Sequence, residues 1–275
     1  MTDRDEWQGR VGEMWAREWS RTDRSFAGLT DRLLGLASAG GFERALDVGC
    51  GAGELSLALA RGHPGACVRG LDVSESLIDA ARTRGRQLPN ATFEIADASR
   101  WSPEAENERV DLAVSRHGVM FFDDPIGAFV NLLDASKPGG RLVFSCFRDR
   151  DDNRWASEIG RLLPGDTPPR PNAPGPFSFA EKDRVRTILG AAGWREVHIE
   201  AFDYPYIAGA GDDCVGDATS FFLSIGPAAA AAAALSPEER QAFEERLRDR
   251  LEAFRDGSIV VMRAAAWLVT ARKGD

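Results

Sequence analysis

Apolar positions in the first forty residues recur at helical spacing. In "WQGRVGEMWAREWSRTDRSFAGLTDRLLGLA", Trp15 and Trp19 lie one turn apart, and Leu29, Leu33, Leu34 and Leu36 continue the stripe. The paired glycines of "SAGG" (Ser38 to Gly41) end it. Beyond them short apolar runs alternate with helical patterns. Strands are predicted in "RALDVG", "CVRGLDVS", "ATFEIADA", "VDLAVSRH" and "RLVFSCF", with "KPGG" as a turn before the last of these. Helices are predicted in "ELSLALARG", "ESLIDAARTRG" (capped by Ser74) and "DPIGAFVNLLDAS". Strands alternating with helices at this spacing predict an α/β fold, a parallel sheet with helices on both faces.

Regularity breaks at "LPGDTPPRPNAPGPF", where six prolines in fifteen residues exclude helix and central strand. A loop of this length is either an inert surface segment or a lid. "SFAEKDRVRTILGAAGW" returns to helix, with Ser178 as cap and Gly193 as stop, and "EVHIEAFDYPY" alternates as a strand. "DDCVGDATSFFLSIG" and "SPEERQAFEERLRDRLEAF" are helical, the second opening on a Ser236/Glu239 capping box with Pro237 at the first position. The alanine run from Ala228 reads as a helix end or linker, and "SIVVMRAAAWLVTARK" is a final strand. Residues 1–40 are thus an N-terminal helical arm or lid. Residues 41–275 are one domain with a helical insertion at about 211–256, between the last two strands. The insertion is either a second lid or a dimer surface, so a homodimer is one expected arrangement.

Composition narrows the partners. At 43% hydrophobic and 28% charged, the 275 residues suit a soluble globular protein. A formal charge of −9 disfavours a nucleic-acid surface, with only "RTRGR" (Arg82 to Arg86) as a local basic patch. The opening "MTDRDEWQGR" lacks the apolar core of a signal peptide, and no run approaches the ~20 apolar residues of a membrane span. Cys50, Cys67, Cys146 and Cys214 lie far apart with no C-x-x-C pair. Zinc, any other metal and disulfides are therefore not expected, and reduced thiols in the cytoplasm are.

The candidate chemistry starts in "ALDVGCGAGELSLALA". Glycines after the first strand let backbone approach a ligand closely. A dinucleotide loop would read G-x-G-x-x-G, whereas here Gly49, Gly51 and Gly53 are followed by Glu54 in place of the third glycine. A carboxylate there, with Asp47 on the strand below, repels a pyrophosphate and suits a ligand with a cationic end. An NAD(P)-dependent oxidoreductase is accordingly disfavoured. Asp72 ends the second strand nineteen residues after Gly53, where a carboxylate accepts ribose hydroxyls. Asp97 ends the third, placed to accept from an adenine amino group.

"LDVGCGAGELSLALA", "VRGLDVSESLIDAAR", "EIADAS" and "LLDASKPGGRLVFSCF" resemble, in order, the motifs of class I S-adenosylmethionine-dependent methyltransferases, over about Phe42 to Phe147. The flavour is that of the ubiquinone/menaquinone-biosynthesis-like small-molecule branch. The resemblance implies a Rossmann-like seven-stranded sheet whose last strand is antiparallel and inserted beside the fifth. It implies S-adenosyl-L-methionine as cofactor and S-adenosyl-L-homocysteine as product. Asp47, Gly49 and Gly51 would lie on the methionine part, Asp72 on the ribose, and Asp97 and Ala98 at the adenine. Cys50, Gly53, Val73 and Ser115 complete the implied cofactor set.

Methyl transfer to a small organic acceptor, at oxygen, nitrogen or carbon, is an in-line displacement that mainly needs alignment and exclusion of water. In this family the segment after the fourth strand, here "SRHGVMFFDDP", faces the transferred methyl. His117 is the candidate general base, with local packing as its alternative role. Arg116 would hold an acidic substrate or pair with Asp123 or Asp124, and Phe121, Phe147 and Trp155 are candidate substrate contacts. His63 and His198 are read as structural. A non-catalytic cofactor-binding module for regulation or interaction is the reading from another class.

Overall fold

The alternation resolves into one mixed sheet in the computed structural model, which describes residues 4–163 and 173–274. Three helices open the chain: α1 (Arg4–Gln8), α2 (Arg10–Arg17) and α3 (Trp19–Ser38). Then follow β1 (Arg44–Val48), α4 (Glu54–Gly62), β2 (Cys67–Asp72), α5 (Glu75–Arg84), β3 (Ala91–Ile95), β4 (Val110–Arg116), α6 (Pro125–Ala135) and β5 (Ser136–Phe147). The second half comprises α7 (Arg154–Gly160), α8 (Lys182–Ala191), β6 (Arg195–Ala210), α9 (Cys214–Ser224), α10 (Pro227–Ala232), α11 (Pro237–Glu252), β7 (Arg255–Asp256) and β8 (Ile259–Arg272).

Strand order is β3-β2-β1-β4-β5-β8-β6, with the two-residue β7 hairpinned onto β8 as an eighth strand beyond the expected seven. The β1–β5 ladders are parallel, and β8 runs antiparallel between β5 and β6. Leu46 and Val48 of β1 are buried, as a central strand covered on both faces requires. Phe129 of α6, Phe144 of β5 and Phe179 pack together beneath the sheet, fully buried. No helix among the described residues is long and apolar enough to cross a membrane.

Three local expectations yield to tertiary contacts. The arm is broken at Gly9 and at Glu18, where the backbone leaves helical geometry or turns through a cap. "KPGG" lies inside β5, where its register against β4 shifts between Val110 and Leu112, so it is an irregularity of a strand instead of a turn before one. Ser178 does not cap α8. Its hydroxyl donates to the Met120 carbonyl at 2.7 Å, and the helix starts after Glu181. The Ser236/Glu239 capping box is present in full. Of the proline-rich stretch, residues 164–172 lie outside the described residues.

The arm packs on the far edge of the sheet. Arg24 and Ser25 donate to the Ala208 and Ile207 carbonyls of β6 at 2.8 and 3.0 Å. Asp217 of α9 receives Arg21 at 2.9 Å and Arg24 at 2.8 Å, tying arm and insertion together. Asn153, buried, knots α7 to the sheet. Its amide donates to the Asp149 and Ala265 carbonyls, and its carbonyl accepts from Ala265 N at 2.9 Å and from Trp155 Nε1 at 3.2 Å. Asn153→Ala strands these groups together, so about 2–4 kcal/mol of stability is expected to go. A lower urea midpoint with an unchanged m-value checks this, and a midpoint equal to wild type refutes it.

Candidate active site

Strand order reverses between β1 and β4, and a crevice opens beyond their carboxyl ends. The two loops that leave these strands touch backbone to backbone. A Cβ on Gly49 would come within 2.8 Å of Gly118 Cα, and one on Gly118 within 2.5 Å of the Val48 carbonyl oxygen. Gly49 also has φ of +66°, so its loop turns in the left-handed region. Gly118 was legible only as a glycine two residues beyond a strand; its partner lies in another loop.

Two expected cofactor residues stand behind this wall instead of on it. A Cβ at Gly53 would press on Ala81 at 3.0 Å and Phe93 at 3.1 Å, so this glycine seats α4 against α5 and β3. Ser115 is buried, and its hydroxyl donates to the Val48 carbonyl at 2.7 Å, clamping β4 to β1. Neither lines the cavity, which is bounded by Gly49, Cys50 and Gly51. Glu54 is absent from the wall too. Its carboxylate binds Arg84 at 2.6 Å, so the anionic lining rests on the aspartates alone.

The cavity encloses about 740 Å³, within the range of small-molecule sites. One end is acidic. Asp47 is buried, its Oδ2 accepting from Ser56 Oγ at 2.6 Å, and burial pushes its carboxyl up to about 6 against the pull of Ser56 and Arg116. Asp72 accepts from Gly51 N at 2.9 Å and Ser74 N at 3.0 Å, and burial raises it as well. Asp97 accepts from the amide and hydroxyl of Ser99, and Val73 and Ala98 flank these acids. Among the described residues no group of His, Cys, Asp or Glu is placed to hold a metal ion.

The other end is aromatic. Successive rings of Phe222, Tyr206, Trp155, Phe147 and His117 lie 6.4, 5.5, 5.0 and 3.9 Å apart, four elements contributing to one column along the wall. Tyr206 was not legible as a site residue, because a tyrosine in an alternating strand carries no mark of the face it joins. Phe121 faces Trp7 of the arm edge-on at 5.3 Å, closing the opposite side.

His117 sits where the aromatic and acidic ends meet, at φ +69° and 7% exposed. Its Nδ1 lies 3.4 Å from Ser145 Oγ, and its Nε2 is buried without a partner. Burial, with Arg116 beside it, pushes the imidazole down to about 3. The ring is therefore neutral at physiological pH, and no carboxylate is among its hydrogen-bond partners to stabilise an imidazolium. A general base of ordinary basicity, as the sequence suggested, does not match these surroundings. Arg116 pairs with neither Asp123 nor Asp124. It donates to Thr30 Oγ1 at 2.8 Å and binds Asp23 of the arm at 3.3 Å, while Asp124 caps α6.

The arginines of "RTRGR" each reach a backbone carbonyl, with Arg82 and Arg86 exposed. Arg82 donates to the Phe93 carbonyl, Arg84 to the Ala52 carbonyl, and Arg86 to the Thr83 carbonyl. His63 meets Ser38 at 3.0 Å, and His198 pairs within the sheet.

A seven-strand path with one antiparallel strand, and a crevice with acids at the ends of three consecutive strands, match the class I methyltransferase architecture. Residues 45–140 match the family described as a methyltransferase domain. Over 146 residues the chain is 30% identical to trans-aconitate 2-methyltransferase of Variovorax paradoxus, covering 53% of this chain and 51% of that protein. It is 41% identical over 101 residues to the ubiquinone biosynthesis O-methyltransferase of Coxiella burnetii, 36% of this chain and 42% of that protein. The chain thus spans about half, or less, of these relatives' length. In fold it is similar to the N-methyltransferase NodS from Bradyrhizobium japonicum in complex with S-adenosyl-L-homocysteine, with TM-score 0.51, 19% identity and coverage of 90% of this chain and 87% of that one. The match of residues 45–140 and the shared fold support a methyltransferase domain that uses S-adenosylmethionine.

Gly118→Ala is expected to force the two loops apart and to weaken S-adenosylhomocysteine binding at least tenfold, about 1.4 kcal/mol. Calorimetric titration checks this; wild-type affinity in the variant would mean that the backbone contact does not shape the site.

Proposed function

We propose that this protein transfers a methyl group from S-adenosylmethionine to a small planar aromatic acceptor, most simply at a hydroxyl oxygen. The observation that carries the reading is one cavity with an acidic end and an aromatic end, joined at His117. Asp47 takes the ammonium of the cofactor's methionine, Asp72 the ribose hydroxyls, and Asp97 with the Ala98 backbone the adenine. The cradle fits this group: Gly49 and Gly118 leave room for it, buried Asp47 offers a carboxylate to a cation, and part-buried Asp72 offers one to hydroxyls. When bound, the cofactor supplies a methyl on a cationic sulfur that needs no further activation. The chain's own residues then align the acceptor and keep water out. Ring edges of the Phe147–Trp155–Tyr206 column receive the face of an aromatic acceptor. His117, stacked on Phe147 at 3.9 Å, continues that column to the acidic end. Phe221, Phe222, Ile225 and Ala228 of the insertion face the cavity, which supports a lid over a dimer surface. The four unpaired cysteines support a cytoplasmic location, and the formal charge of −9 supports a small-molecule partner over nucleic acid.

An acidic acceptor such as the one named for the Variovorax relative would need an available cation next to His117. Arg116, the cation adjacent to His117, is already bound to Asp23 and Thr30, while Arg100 and Arg150 line the cavity elsewhere.

Titration with S-adenosylhomocysteine, which keeps the ammonium and ribose, tests the cofactor half. Asp72→Ala is expected to lose at least a factor of ten in affinity, about 1.4 kcal/mol. Because a bound cation favours the Asp47 carboxylate, affinity should be level above about pH 7 and decline as pH falls through 6. Asp47→Asn should remove that slope. Binding of a nicotinamide dinucleotide with no response to S-adenosylhomocysteine would overturn the assignment.

For the acceptor half, kcat at saturating cofactor with a panel of phenols is expected to show no His117 ionisation near 6.5, since His117 stays neutral down to about pH 3. His117→Gln should lower kcat with cofactor affinity unchanged. A kcat that drops below pH 6.5 in wild type and not in the variant would restore the general base.

A further inference from the structure

Asp23 takes no part in the binding scheme above, yet it lines the cavity and joins two guanidiniums. From the middle of α3 its Oδ1 lies 3.3 Å from Arg116 Nη2, and its Oδ2 lies 2.7 Å from Arg84 Nη2. Arg84 has further anchors. The same Nη2 binds Glu54 at 2.6 Å, Nη1 donates to the Ala52 carbonyl at 2.7 Å, and the guanidinium sits 3.9 Å over the Trp19 ring. Arg116 has one other polar partner given by geometry, Thr30 Oγ1, and it lies 5.3 Å over Phe26. Without Asp23, Arg84 would still be neutralised by Glu54, whereas Arg116 would keep only a hydroxyl.

The helix that carries Asp23 is held independently. Arg21, Arg24 and Ser25, on other faces of α3, bind Asp217 and the β6 carbonyls. The carboxylate is therefore a fixed anion to which the arginines come, and its removal leaves α3 anchored. Asp23 and Arg116 are each about 15% exposed, so their pairing is screened less than a surface salt bridge. Other acids reach Arg116 electrostatically from β1 and α4, namely Asp47 and Glu54. In the cofactor-bound site Asp47 is matched by the ligand's ammonium, beside which the ligand's own α-carboxylate lies, and Glu54 is matched by Arg84. Among the described residues Asp23 is the carboxylate in direct contact with Arg116.

We propose that Asp23 sets acceptor specificity by holding Arg116 neutralised, so that the aromatic end accepts uncharged rings and refuses carboxylates. Asp23 is a positioning residue in this role, acting on the acceptor through Arg116. The guanidinium, adjacent in sequence to His117 and itself on the cavity wall, is a carboxylate site kept closed by an arm residue. An anion entering the wild-type pocket would have to displace an intramolecular carboxylate already in place, which removes the gain from pairing. The inference rests on the two-ended reading of the cavity given above.

The test uses the full-length protein saturated with S-adenosylhomocysteine and a matched pair of probes, 2-naphthol and 2-naphthoate. Wild type is expected to prefer the naphthol. Asp23→Asn, which keeps the shape and removes the charge, is expected to gain at least tenfold in naphthoate affinity relative to naphthol. The double variant Asp23→Asn/Arg116→Gln should lose that gain, which separates a charge effect from a general loosening that would weaken both probes alike. An unchanged naphthoate-to-naphthol ratio in Asp23→Asn, including absence of naphthoate binding in both proteins, overturns the proposal. Failure of wild type to bind S-adenosylhomocysteine is a different result, and it overturns the cofactor assignment instead.

Discussion

The contact on which the site depends is the meeting of two bare backbones, Gly49 after β1 and Gly118 after β4. Adjacent parallel strands whose chains leave in opposite directions open a crevice, but only if nothing fills it. A methyl group on either glycine would occupy that space or push the strands apart. Ser115 holds the approach from behind through its bond to the Val48 carbonyl. With the two loops so placed, Asp47 lies just before one glycine and His117 just before the other. The acidic and aromatic ends of the cavity thus meet within a few residues of one contact.

Charge is distributed unevenly along this cavity, and the unevenness has a direction. Asp47 is a buried carboxylate and Asp72 a part-buried one; among the described residues neither has a directly bonded cation, and desolvation raises both. Such groups are costly until a ligand brings positive charge. At the other end the opposite holds: His117 is kept neutral, and Arg116 is matched by Asp23. A ligand with a cationic group therefore has one orientation in which the buried Asp47 carboxylate is answered. The aromatic column adds no charge and excludes water, which strengthens each electrostatic contact at the acidic end.

Closure comes from three separate parts of the chain. The arm, α7 and the insertion all present aromatic side chains inward, and they are tied to the sheet and to one another by polar bonds. Asn153 fixes α7 to β8, and Asp217 of the insertion receives two arginines of the arm. On β6, the edge strand of the sheet, Arg24 and Ser25 of the arm take the Ala208 and Ile207 carbonyls.

What could be read from residues alone was what local physics decides. Strand and helix periods, the Ser236/Glu239 cap, the glycine turn and the aspartates at three strand ends follow from spacing, turn chemistry and side-chain type. Where a local preference met a competing partner, it lost: Ser178 left its helix to bond Met120, and "KPGG" was drawn into β5 by pairing with β4. The features that give the site its character were out of reach because they join distant segments. Asp23 and Arg84 are 61 positions apart, Asn153 and Ala265 are 112 apart, and Tyr206 stacks on Trp155 only through the register of β6 on β8. A sequence determines which groups are available and their immediate geometry. Which of them face each other is decided by strand order and crossover, and so it was tertiary structure that made His117 neutral, Arg116 occupied and the acceptor end aromatic.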